Sequence, residues 1–360
     1  MNPEEPYKRL CRAMERRGGR YPGMDIPEFY SLAEALFTPE EAEVCAAMPE
    51  RPAPALLIAE VLGRDPEDVE GILEAMADKG LCSARIKEGR REYVPVPFVP
   101  GIFEFQFMRG TTTERDRRIA RLIHAYKEAV DRKAGPPKIT FPTERVIPIE
   151  KSLDSEGQVH TYDQVSYYID HYKPIAVSTC FCRHEERLLD EEGHCGKPDN
   201  VCMQFGVAAH FVIDRKIGRE VSKDEAREIL RRSEEAGLVH TSRNIQEGID
   251  FICNCCPCHC MILRTALLQP KPGLALSSGF SPVLDPDRCV GCDTCVERCP
   301  AQALSLGDWT PRVDLERCFG CGVCASGCPS EAIEMKARPD APEPPKDRKA
   351  LREALKSLSS

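Results

Sequence analysis

The strongest constraint on this chain is a cysteine pattern that occurs twice near its end. Cys289, Cys292, Cys295 and Cys299 precede Pro300, and Cys318, Cys321, Cys324 and Cys328 precede Pro329. Both sets read C-x2-C-x2-C-x3-C-P. The surrounding segments, LDPDRCVGCDTCVERCPAQALSL and VDLERCFGCGVCASGCPSEAIEM, align at an offset of 29 residues, so this region is an internal repeat. Seventeen of the twenty cysteines lie from residue 180 onward; only Cys11, Cys45 and Cys82 come earlier. Thiols at this density imply disulfides or metal. A zinc ribbon needs two C-x2-C pairs across a longer gap, not two consecutive quartets that each end in Cys-Pro.

Three cysteines at i, i+3 and i+6 wrap one corner of a metal–sulfur cage, and thiolate sulfur is the soft ligand that iron in such a cage takes. Gly291, Gly320 and Gly322 let the loops turn tightly. The pattern over residues 283–336 resembles bacterial-type 2[4Fe-4S] ferredoxins, in which the fourth cysteine of each quartet ligates the other cluster. The expected ligand sets are therefore Cys289, Cys292, Cys295 and Cys328 for one [4Fe-4S] cluster, and Cys318, Cys321, Cys324 and Cys299 for the second. Val290, Phe319, Val323 and Ala325 are expected to shield them from water. The resemblance implies electron transfer.

A length of 360 residues predicts two or three domains. The net charge of −9 argues against non-specific nucleic-acid binding and fits docking on basic patches of redox partner proteins. MNPEEPYKRLCRAMERR lacks the apolar run of a signal peptide. The best apolar stretch, 201–213, is short and holds Gln204 and His210. No membrane insertion is expected, and the reading is a protein of a reducing cytoplasm, in an anaerobe.

The expected class is α+β and multidomain. Residues 1–104 read as a winged-helix-like domain. Thr38 and Glu41 form a capping box, PAPALLIAEVLG is a short apolar helix, and Asp65 and Pro66 open another that Gly80 stops. A hairpin turning at Glu88-Gly89 follows. Residues 105–143 hold a basic helix, from Thr112 to Lys133, and a linker. A cysteine-rich α/β metal-binding domain spans 144–268. In it DQVSYYIDHY is helical, PIAVSTC is a buried strand, and SKDEAREILRRSEEAGLVH is a helix capped by Ser222 and stopped by Gly237. The ferredoxin unit (283–336) and a polar tail (337–360) complete the chain.

The middle domain carries Cys180, Cys182, Cys195 and Cys202, then Cys253, Cys255, Cys256, Cys258 and Cys260. In extended segments alternate residues share a face. Cys180 and Cys182 would then form a pair, Cys253 and Cys255 a second, and Cys256, Cys258 and Cys260 would face the other way. Three readings stand open: one or two further [4Fe-4S] clusters, structural zinc, or a site with an open coordination position or dithiol. His184, His194 and His259 lie beside these thiols as candidate ligands, although a lone histidine is more often hydrogen-bonded or on the surface. The C-x-C-R and C-N-C-C-x-C-x-C segments, ahead of a two-cluster unit, resemble a family of iron–sulfur proteins of anaerobic bacteria and archaea with a winged-helix-like N-terminal part. That resemblance implies an electron-transfer protein with extra clusters. Its second segment is often richer in cysteine, so His259 marks a departure.

A winged helix raises a second function, a redox-sensing transcription regulator. The helix that would enter the major groove carries Asp65, Glu67, Asp68, Glu70, Glu74 and Asp78 against Lys79, and DNA phosphates would repel it. The basic wing (Arg85, Lys87, Arg90, Arg91) gives little by itself. Docking of a partner, or a homodimer formed through this domain, is the preferred use. The basic helix reads as a solvated face, and Cys11, Cys45 and Cys82 as buried free thiols. No dinucleotide fingerprint, P-loop or nucleophile elbow is present. The alternative within redox chemistry is an oxidoreductase subunit with a substrate site in the middle domain.

Overall fold

The computed structural model describes residues 4–135, 138–154, 159–307 and 310–357. Parts of the expected linker and the end of the expected tail lie outside them. The described chain mixes helices with several small sheets, an α+β protein, and divides into two compact units. One comprises Met1–Pro136, Ser178–His194 and His210–Arg219; the other comprises Pro137–Val177, Cys195–Ala209 and Glu220–Ser360. Residues 144–268 contribute to both.

In the first unit the local signals act as their chemistry dictates. Thr38 and Glu41 close a reciprocal capping box on the helix Pro39–Ala47. The Asp65 side chain accepts the N–H groups of Glu67 and Asp68 to start the helix Pro66–Asp78. The apolar helix Ala55–Leu62 lies between them. Strands β1 (Cys82–Lys87) and β2 (Arg90–Pro95) pair antiparallel. Their turn has positive φ at both Glu88 (52°) and Gly89 (75°), which suits the twist of a two-residue hairpin. Phe29, Phe98, Phe103, Phe107 and Tyr126 fill the core.

The basic helix runs from Glu114 to Ala134, capped by Thr113 with Asp116. Its expected solvated face needs one correction. Lys127 is half-buried, and its Nζ donates to the buried Glu185 carboxylate at Oε1, 2.7 Å away. Cys11, Cys45 and Cys82 are buried; the Cys82 thiol donates to the Leu73 carbonyl.

The second unit is organised on a six-stranded sheet. Its strands are β3 (Glu144–Ile147), β4 (Ile175–Thr179), β5 (Asn200–Phe205), β6 (Arg219–Glu220), β7 (Val239–Arg243) and β8 (Phe251–Cys255), in the order β3-β7-β8-β5-β4-β6. β7 and β8 are antiparallel, with Val239 opposite Cys255 and Thr241 opposite Cys253. Side chains alternate between two faces. Ile147, Met203 and Ile252 pack with the helices Val165–His171 and Lys223–Glu235, joined by Leu351 of the terminal helix Arg348–Ser357. Val146, Val239, Cys253 and Cys255 pack instead with Leu263, Ala266, Phe319, Cys318, Cys321 and Val323. The cysteine-bearing face of β8 therefore lies against the second half of the C-terminal repeat.

Candidate metal centres

The repeat folds between β9 (Phe280–Leu284) and β12 (Ile333–Ala337), which pair antiparallel, with β10 (Leu304–Ser305) and β11 (Arg312–Val313) between them in sequence. Its halves match in backbone conformation as well as in sequence. Gly291 and Gly320 have φ of 64° and 71°, Asp293 and Gly322 of 59° and 78°, and Gln302 and Glu331 of 51° and 50°. Each pair is 29 residues apart. The Cys289 N–H donates to the Asp285 carbonyl as that of Cys318 donates to Asp314. The Ala303 and Ala332 N–H groups donate to the Cys299 and Cys328 sulfurs at 3.2 and 3.3 Å.

The loops exchange their last cysteine. Cys289, Cys292 and Cys295 line one cavity together with Cys328. Cys318, Cys321 and Cys324 line another together with Cys299. The empty space at the two is similar, about 340 and 330 Å³ with the open solvent at each mouth counted. The fourth cysteines follow the short helices Thr294–Glu297 and Val323–Ser326. They leave each loop where the chain turns away from it.

The two cavities differ in their surroundings. Around the second, Cys318, Cys321 and Cys324 are buried, and Phe319 is 1% exposed. Around the first, Cys292 is exposed and Val290, the counterpart of Phe319, is 68% exposed. Val290 thus does not shield its site: among the described residues it joins no buried apolar cluster, whereas Phe319 packs in the cluster that holds the β8 face. The thiols register the difference. Burial pushes Cys321 up to about 12, whereas a hydrogen bond from Thr294 holds Cys292 below the ordinary thiol value.

The middle cysteines are not arranged as an extended segment would place them. Cys180 is the N-cap of the helix Phe181–Leu189, and Cys182 lies in its first turn. Their proximity raises the Cys180 pKa. Arg183 beside them is fully buried. In the second unit β8 ends at Cys255, Cys256 enters the opposite core, and Cys260 returns to the Cys255 side as N-cap of the helix Met261–Leu267. The expected grouping of Cys256, Cys258 and Cys260 on one face is therefore split. The Cys202 and Cys253 sulfurs are 3.9 Å apart, with the Gln204 amide donating to Cys202 at 3.2 Å. Cys255 meets the Thr241 hydroxyl at 3.2 Å.

Cys195, Cys256, Cys258 and His259 converge, with their ligand atoms all within 4.8 Å of one another. Desolvation first, then hydrogen bonding to Cys256, pushes Cys258 up to about 12. The other histidines are differently engaged. His184 Nε2 meets the Thr111 carbonyl at 2.8 Å, and His194 Nε2 accepts from Arg187 at 2.7 Å. Sequence placed His259 no higher than these two; its adjacency to Cys258 in C-P-C-H was the available signal.

Residues 282–335 match the family model of a 4Fe-4S dicluster domain. No curated protein and no solved structure matches the chain. The dicluster match and the thiol-lined cavities agree in giving the C-terminal part of the chain a [4Fe-4S] dicluster domain. Among the described residues no helix is long and apolar enough to cross a membrane.

Proposed function

We propose that the chain is an electron-transfer protein whose C-terminal repeat holds two [4Fe-4S] clusters. Cys289, Cys292, Cys295 and Cys328 would hold one, and Cys318, Cys321, Cys324 and Cys299 the other. The observation that carries this reading is the exchange of the fourth cysteine between two cavities of like size. When bound, such clusters supply reversible one-electron chemistry.

The chain's own residues prepare both sites. Left-handed turns at Gly291 and Gly320 close the loops tightly. The Ala303 and Ala332 N–H groups stabilise negative charge on Cys299 and Cys328. Phe319 lines the inner cavity and, with the buried Val323 in the same apolar cluster, keeps water from it. The outer cavity, with Cys292 and Val290 in solvent, is the edge at which a redox partner approaches. The inner cavity shares its apolar cluster with Cys253, Cys255 and Cys260, so the route inward leads to the middle cysteines.

The N-terminal elements serve protein docking or a second copy of the chain rather than DNA. Two of the wing's arginines are internally paired, Arg85 with Glu92 at 2.7 Å and Arg91 with Glu74 at 3.0 Å. Phosphate binding would have to break both pairs. The test of the whole reading is metal and sulfide analysis of anaerobically purified protein, with electron paramagnetic resonance of the reduced form. About four irons and four sulfides for each of two clusters are expected, with two interacting centres. Folded, colourless, iron-free protein would sink it.

A further inference from the structure

We infer that Cys195, Cys256, Cys258 and His259 form a tetrahedral site for one divalent transition-metal ion, zinc by its donor set, separate from the iron–sulfur sites. The distances decide between one ion and a cluster. All the ligand atoms lie within 4.8 Å of one another. Around one ion with metal–thiolate bonds of about 2.3 Å, tetrahedral sulfurs sit about 3.8 Å apart. In a four-iron cubane each thiolate binds a different iron, so the sulfurs stand roughly 6 Å apart or more. The observed spacing has room for a single ion and none for a cubane.

The histidine supplies the second observation. His259 Nδ1 is buried and has no hydrogen-bond partner among the described residues. A buried imidazole nitrogen left so is costly unless something takes its lone pair. Three thiolates and one imidazole form one of the established structural zinc donor sets. A dication would also reverse the mutual penalty of thiols crowded in a partly desolvated place, since metal-bound thiols are deprotonated.

The fold shows what the ion would do. Cys256 packs in the same core as Ile252, and the turn over residues 257–259 that follows β8 carries Cys258 and His259. Cys195 lies in the irregular stretch before β5 and packs against the same core. A shared ion would tie that stretch to the end of β8 and close a loop of roughly 60 residues, a constraint on the unfolded chain. The site would be redox-silent. Three of the middle thiols would thus leave the count available for iron.

The inference stands apart from the electron-carrier reading, and one set of measurements separates them. Full-length protein, purified anaerobically, should contain about one zinc per chain beside its iron. Cys258→Ser, at an exposed position, and His259→Ala should each remove the zinc and leave iron, sulfide and the reduced spectrum as in wild type. His259→Cys should keep it. Wild-type protein produced with cobalt should show visible bands of a tetrahedral thiolate site, a readout that needs no variant. Zinc-free wild type overturns the inference, whether or not Cys258→Ser lowers the iron; a loss of about four irons would assign the residues to a cubane instead.

Discussion

Val290 and Phe319 occupy the same position of the repeat, yet one is 68% and the other 1% exposed. Truncating each to alanine is therefore a matched experiment on the two cavities. Removing a buried phenylalanine costs about 3–5 kcal/mol, from lost transfer energy and the cavity left behind. Removing two methyl groups already in water stays within about 0.5 kcal/mol. If iron leaves the inner site only after local opening, Phe319→Ala should speed that step by about 100- to 4,000-fold, because each 1.4 kcal/mol is about tenfold. Val290→Ala should change the outer site by about twofold or less. The assay is iron release to a chromophoric chelator under anaerobic conditions. Wild type should lose iron in two phases of similar amplitude, the fast one from the outer site. Phe319→Ala should merge the slow phase into the fast one. An unchanged slow phase in that variant, or a tenfold effect of Val290→Ala, would refute the assigned difference in enclosure.

The same two phases read the exchanged ligands. Cys328→Ser should abolish the fast phase although it lies in the second half of the repeat, and Cys299→Ser the slow one; the opposite assignment would mean that each loop keeps its own fourth cysteine. Gly291 and Gly320 both have positive φ, but a Cβ at 291 meets nothing within 4 Å, whereas at 320 it would run into the Phe280 carbonyl. Gly291→Ala should cost only the left-handed strain of about 1–2 kcal/mol and keep full iron, while Gly320→Ala should lose the slow-phase iron; equal iron contents would contradict the packing. In the first unit, burial lifts Glu104 to about 7, above an unfolded value of about 4.3. The stability this contributes is complete below about pH 4.3 and is lost as pH rises through 7. Melting curves of wild type should therefore fall between pH 5.5 and 8 more than those of Glu104→Gln, and parallel curves would remove Glu104 as the cause.

Features set by neighbours three or four residues away were legible in the sequence. The Thr38 box, the Asp65 cap, the Glu88-Gly89 turn and the helix Lys223–Glu235 each depend on one short-range hydrogen bond or one φ preference. The cysteine quartets were legible because cage geometry fixes their spacing. Misreadings arose where one position decides between two local geometries. FCRHEERLL spans nine residues and its N-cap, Cys180, makes no side-chain cap hydrogen bond, so the helix opens without a start signal in the sequence. Pro257 cannot continue a central strand, and the turn it forces sends Cys260 back to the face of Cys255. Lys127 read as surface because sequence could not show Glu185, 58 residues on, lying within 2.7 Å.

Exposure was the property the repeat could not disclose, since its halves are alike in motif and in backbone. The matching φ values show that the loop is a self-contained solution to holding thiols, independent of what surrounds it. The freedom left over differs between the halves. At the outer loop the residue after the second cysteine is Asp293, which takes a φ of 59°. At the inner loop it is Gly322, where a Cβ would press on the Ser152 hydroxyl and lie 3.2 Å from the Ile149 amide nitrogen. The Ile149 N–H also donates to the Cys321 carbonyl, and the Ser278 hydroxyl to that of Gly320. The inner loop is thus bound by its backbone to the rest of its unit, and the outer loop is left to solvent. An electron carrier needs both conditions: one site that a partner can approach closely, and one whose surroundings stay fixed while charge passes. A duplicated motif meets them when the protein packs against one copy only.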